Sequence, residues 1–121
     1  MTPTGFDLVR KLGLALPGVE EETYYGSPAL KIGKRLLACI AIHRSAEPGS
    51  LVVRTDFETR AALVDEESSI FYVTEHYRNH PVVLVRLSKI KEDQMRDLLQ
   101  AAWRIIVDHQ KRLGSKKTRT L

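Results

Sequence analysis

A single cysteine, Cys39, stands in a chain of 121 residues. One thiol excludes an internal disulfide framework and suits a reducing cytosol. Long apolar runs are missing as well. The longest, Leu36 to Ile42, falls far short of the ~18 residues a membrane span needs. No basic stretch leading into an apolar one stands at the N-terminus, so no secretory signal is evident. The signatures G-x-x-x-x-G-K-[ST], G-x-G-x-x-G, H-E-x-x-H and G-x-S-x-G are all absent. Nor is any carboxylate pair set in apolar surroundings that would shift a pKa. The expectation is a cytoplasmic protein with no membrane partner, no cofactor and no demand for catalysis.

What is present is ordinary for a globular domain: 43% hydrophobic and 28% charged residues, in a length that suits one domain and not two. The formal net charge of +4 invites a nucleic-acid reading, but its distribution matters more. Five of the 19 basic residues lie from Lys111 onward and none of the 15 acidic ones, leaving residues 1–110 with 14 basic against 15 acidic. The body is therefore close to neutral. Residues 114–121 have the composition of a disordered basic tail, so the domain is expected to end at residue 113.

Along the chain, Thr4 precedes an apolar pattern of Phe6, Leu8, Val9, Leu12, Leu14 and Leu16 that predicts a capped helix ended by Pro17-Gly18. Thr23 to Tyr25 is a short strand candidate. Ala29 to Ile32 and Arg35 to His43 read as a hairpin through Gly33-Lys34, where the turn needs a positive φ. A turn at residues 47–50 leads to a strand over Leu51 to Thr55. Asp56 is placed to cap a short helix over Phe57 to Val64, with Phe57, Ala61 and Leu63 or Val64 facing inward. Ile70 to Thr74 and Val82 to Ser88 read as strands around the turn Glu75 to Pro81. The last helix, from about Glu92 to Leu113, carries Met95, Leu98, Leu99, Ala102, Trp103 and Ile106 on one stripe. The order α-β-β-β-β-α-β-β-α, with short strand connections, predicts an α+β fold: an antiparallel sheet with helices packed on one face.

Alternation places Val53, Val83, Val85 and Leu87 on one side of the sheet. Arg54 and Arg86 then face the other way, where they are candidates for phosphate contacts or simply members of a solvated polar face. The turn Thr74 to Pro81 brings His76, Tyr77, Arg78 and His80 together as a candidate nucleic-acid wing, with Glu75 opposing that role. His76 and His80 are four apart, but Pro81 disfavours helix there and no further ligand stands at metal spacing, so no metal site is expected. On the last helix Arg96, Gln100, Arg104 and Lys111 form a polar stripe, either tracking phosphates or solvated beside Asp93, Asp97 and Asp108. Cys39, flanked by apolar residues, reads as a small core residue, and Trp103 as a core anchor.

The segments PGVEEETYYGSPALKIGKRLLACIAI and IFYVTEHYRNHPVVLVRLS, followed by a helix carrying MRDLLQAAWRII, resemble the MmcQ/YjbR family of small bacterial proteins. The likeness covers roughly residues 6 to 107. It implies the same α+β fold, which has been likened to double-wing nucleic-acid-binding and CyaY-like domains. It also implies a DNA-binding or regulatory role, with His76, Tyr77, Arg78 and His80 as the nearest equivalents of the family's basic and aromatic residues in that turn. On the residues' own reading Arg54 and Arg86 would join them on phosphates, with Arg104, Lys111, Lys116 and Lys117 adding attraction. Two other functions fit the same chain. One is a homodimeric interaction module on the open sheet face, shielding Leu84 and Arg86. The other is a small-ligand site in a concavity beneath the 74–81 turn, with His76 and Tyr77 as its polar groups.

Overall fold

A computed structural model describes the backbone of residues 5–119 and the side chains of residues 5–111. Helix α1 (Phe6–Leu14) leads into β1 (Val19–Tyr24), β2 (Ser27–Ile32), β3 (Arg35–Ile40) and β4 (Ser50–Arg54). Helix α2 (Phe57–Glu66), β5 (Phe71–Tyr72), a 3₁₀ turn (Glu75–Tyr77), β6 (Val82–Arg86) and α3 (Glu92–Arg119) complete it. The strands form one antiparallel sheet in the order β1-β2-β3-β4-β6-β5. The α+β class, the element order and the antiparallel pairing are as the sequence predicts.

Each face of the sheet has its own apolar cluster. On the first face Leu30, Leu37, Leu51, Val53, Val83 and Val85 meet Phe6 and Val9 of α1 and Met95, Leu99, Ala102 and Ile106 of α3. The α3 stripe is thus the core anchor its spacing predicts, with Trp103 half-buried beside it. The Trp103 indole N–H also donates to the Pro17 carbonyl at 2.8 Å, tying α3 to the loop after α1. Gly13 lets α1 sit close on β2, because a Cβ there would overlap the Leu30 side chain. The described helix end of α1 is capped by Gly5 without a side-chain bond; Thr4 lies outside the described residues.

Several local expectations need correction, beginning with the strands: β1 starts at Val19 and leaves Tyr25 in the turn, and β3 ends at Ile40, short of His43. Helix α2 is capped by Asp56, whose carboxylate accepts from the Thr59 N–H at 2.7 Å, but it has no buried residue and Phe57 is 51% exposed. Leu63 and Val64 do pack half-buried against the first-face cluster, as expected, while Phe57 and Ala61 stay exposed. Arg60 lies over the Phe57 ring at 4.8 Å and donates to the carbonyls of Arg78, His80 and Val82. Strand β5 is only two residues long, because Ile70 and Phe71 are drawn to the Glu67 carbonyl at its start and a 3₁₀ turn begins after Thr74. Helix α3 continues beyond Leu113, to Arg119, while the side chains of Lys116 and Lys117 lie outside those described. No helix among the described residues is long and apolar enough to cross a membrane.

The hairpin turn at Gly33 has the expected positive φ, 61°. Between β2 and β3, however, the register slips: Lys31 opposes Leu36 and Leu30 opposes Ala38, so Leu37 is the extra residue of a β-bulge. The bulge sends Leu37 and Ala38 both into the first cluster and turns Leu36 and Cys39 to the second face. This local inversion prepares the site.

Candidate functional site

The second face is not the plain polar surface that alternation alone suggests. Ala29, Cys39, Val52, Val82 and Leu84 are buried on it, with Leu36, Ala41, Ala46, Tyr72 and Tyr77 packed against them. Two segments fold over its end: the loop after β3 and the 3₁₀ turn after β5. They are joined by a 2.8 Å hydrogen bond between the Ser45 and Thr74 hydroxyls. Between these covers and the strands lies a hollow of about 460 Å³ lined by Leu36, Cys39, Ile40, Val52 and Val82 below, and by aromatic and histidine side chains above. Small or short side chains at the floor leave the space that longer ones would fill.

The upper wall is an aromatic cluster. The His43 and His76 rings stack with centroids 3.5 Å apart and planes 5° from parallel. Tyr77 stands edge-on to His76 at 4.8 Å and 88°. The Ser45 backbone N–H donates to His43 Nδ1 at 3.1 Å, and the Ser45 hydroxyl lies 2.8 Å from the same nitrogen. With the Nδ1 lone pair engaged by the Ser45 N–H, the neutral ring carries its proton on Nε2, a donor with no hydrogen-bond partner among the described residues. Desolvation, then the neighbouring His76 and Arg44, holds the His43 pKa below its ordinary value. Burial likewise raises the Tyr77 phenol above its own. At the floor, burial pushes the Cys39 thiol up to about 11, with Lys31 acting weakly the other way. Cys39 is thus a neutral, small wall residue and not a nucleophile.

The open side is rimmed by Tyr24, Tyr25 and Ile42, three of the five large apolar side chains exposed among the described residues. Tyr25 is 79% exposed and has φ 50°, while Gly26 has φ 80°, giving a two-residue hairpin turn with both centres left-handed. Asn or Gly is the usual occupant of such a first position, and a tyrosine there is strained. Its ring lies edge-to-face on Tyr24 at 4.6 Å and 73°. A strained, exposed aromatic at the mouth of a hollow is a feature the fold does not need for itself.

The residues singled out from sequence are divided by the structure. His76, Tyr77 and His80 line the hollow. Arg78 turns away into an ion pair with Glu75 at 3.2 Å. Arg86 does lie on the second face, but both Glu47 carboxylate oxygens hold it, the shorter contact being 2.6 Å. It also donates to the Ser68 and Ser69 carbonyls and lies 4.3 Å over the Tyr72 ring. Arg54 shares that face without an ion-pair partner among the described residues, and its Nε is buried with no hydrogen bond. Arg104 and Lys111 are exposed on α3, the helix that covers the opposite face of the sheet. Leu84, a suggested self-association contact, is fully buried within one chain. No cluster of three or more His, Cys, Asp or Glu able to hold a metal occurs among the described residues.

Sequence reasoning missed Tyr24, Tyr25 and the pairing of His43 with His76. The Tyr25-Gly26 dipeptide was the available signal, being a hairpin turn with an unusual first residue. Comparison with known proteins adds a family and little more. The YjbR family model matches residues 14–105, more than half of the chain. Uncharacterised proteins of Mycobacterium bovis and Mycobacterium tuberculosis are 33% identical over 49 residues, which is 40% of this chain. The chain spans 38% of the length of these curated relatives.

Proposed function

Because the chain belongs to the YjbR family, whose fold leaves the function to be argued from the site, we propose that it is a small-ligand-binding protein whose site is the hollow on the second sheet face. One observation carries this reading: a cavity of about 460 Å³, within the size range of ligand pockets, with an apolar floor and a few convergent polar groups from His43, His76, Tyr77 and His80. A DNA-binding role has weaker support in the same geometry. Phosphate recognition needs several free cations on one surface, yet Arg86 and Arg78 are paired with Glu47 and Glu75, and Arg104 and Lys111 lie on the helix side. Of these candidates Arg54 alone stands on the second face without an ion-pair partner among the described residues. The hollow presents no lysine or arginine to a phosphate.

The test is a ligand-observed NMR screen of uncharged and charged fragments against the full-length protein, beside anisotropy of labelled duplex DNA across a salt series. Saturable fragment binding that a Val52→Phe variant abolishes, with thermal unfolding still cooperative, supports the proposal. Salt-dependent DNA binding by a protein that holds no fragment contradicts it.

A further inference from the structure

We propose that the hollow takes an uncharged, flat heteroaromatic ring that places a hydrogen-bond acceptor on the His43 Nε2–H. This rests on the reading of the hollow as a ligand site and names the chemical class of its occupant.

Charge is the first constraint. None of the twelve residues lining the hollow is Lys, Arg, Asp or Glu. Ion pairs on the adjoining strands are satisfied with one another or with other elements: Lys31 with Glu22 at 3.4 Å beside Tyr24, Glu21 with Arg10, and Arg86 with Glu47. A ligand carboxylate or ammonium that entered would lose its hydration and meet no counter-ion. Shape is the second. The His43–His76 stack and Tyr77 give flat or edge-on aromatic surfaces on one side, and the Tyr24–Tyr25 pair gives others at the mouth. Stacked and edge-to-face partners favour a planar ring over a puckered one. The strand register brings the two sides together, since Ala29 opposes Cys39 and the Tyr25-Gly26 turn therefore runs beside the chain that leaves β3 toward His43.

Hydrogen bonding is the third constraint. With Nδ1 occupied by Ser45, His43 offers a donor and no acceptor from its neutral ring, so a ring nitrogen or carbonyl oxygen is the complementary group. The aliphatic floor of Leu36, Val52 and Val82 suits the remaining apolar body.

The experiment is an NMR titration of the full-length protein at pH about 7.5, following backbone amides and aromatic side chains. Four probes of related size are used: quinazolin-4-one, naphthalene-2-carboxylate, 2-naphthylmethylammonium and cyclohexanecarboxamide. Quinazolin-4-one is expected to shift Tyr25, His43, His76 and Tyr77 saturably and to bind about tenfold or more tighter than the other three. Equal or tighter binding of a charged or non-planar probe at those same resonances would overturn the ligand class while leaving the hollow as a binding site. Failure of all four probes to move those resonances would overturn both.

Discussion

Tyr25→Asn is expected to stabilise the fold slightly while weakening the hollow as a binding site. At φ 50° a tyrosine occupies the left-handed region, which costs a residue with an ordinary side chain about 1 kcal/mol at the low end of the usual range. Asparagine tolerates that region, and Asn-Gly is the favoured pair for a two-residue hairpin of this kind. Against the gain stands the lost edge-to-face contact with Tyr24 at 4.6 Å. Because Tyr25 is 79% exposed, that contact is set at the low end of aromatic pair energies, about 0.5 kcal/mol. The difference favours the variant by about 0.5 kcal/mol. For a domain of this size that corresponds to a rise in Tm of about 2 °C. Differential scanning calorimetry reads the stability, and titration with quinazolin-4-one reads the site, where affinity is expected to drop about fivefold. A fall in Tm together with unchanged affinity would refute the argument, since Tyr25 would then be a structural residue and its strain irrelevant to binding.

Other perturbations probe the walls of the hollow. Arg60→Ala removes three donations to the carbonyls that hold residues 78–82. It should cost about 2 kcal/mol and speed amide exchange across residues 76–80; a Tm within about 2 °C of the parent would contradict this. Cys39, raised by burial from 9.0 to about 11, should react with a small neutral thiosulfonate about a hundredfold slower at neutral pH than an exposed cysteine thiol at the ordinary value, from thiolate fraction alone. Its rate should keep climbing with pH toward 11; a plateau below pH about 9 would mean that the thiolate is stabilised. His43 titrates below its usual 6.5 when folded, so the unfolded chain binds more protons in the interval between the two values. Stability should therefore be lost as pH falls below 6.5. His76→Phe, which keeps a flat partner and removes a charge, should lessen that loss. Urea midpoints at pH about 5.5 and 7.5 that do not differ would contradict the assignment.

Much of the fold was legible because it rests on local signals. The i, i+3, i+4 stripe from Met95 to Ile106 finds the core it predicts, Asp56 caps α2, and Gly33 turns the central hairpin as its conformation requires. Alternation also placed Val53, Val83 and Val85 correctly on the helix side. It failed between β2 and β3, where the bulge at Leu37 reverses the faces and no residue type announces it. Helix α2 was legible in part: Leu63 and Val64 pack half-buried on the core as expected, but Phe57 is exposed, and Arg60 adds bonds to backbone carbonyls distant in sequence.

The candidate site was legible only in part. His76, Tyr77 and His80 stood out because they cluster in one turn, and all three line the hollow. His43 is remote in sequence, and only the fold stacks it on His76. Arg86 was assigned to the right face, yet its availability depended on Glu47, whose approach is set by the loop between β3 and β4. Tertiary pairing of charges decides which cations are free, and spacing along the chain carries no record of it.

The central claim, that the hollow is the functional site, is tested most directly by a crystal structure of the full chain soaked with quinazolin-4-one. The account predicts ordered density against Leu36, Val52 and Val82, with an acceptor atom within hydrogen-bond distance of His43 Nε2. Density on the α3 face or at Arg54 with the hollow empty would contradict it.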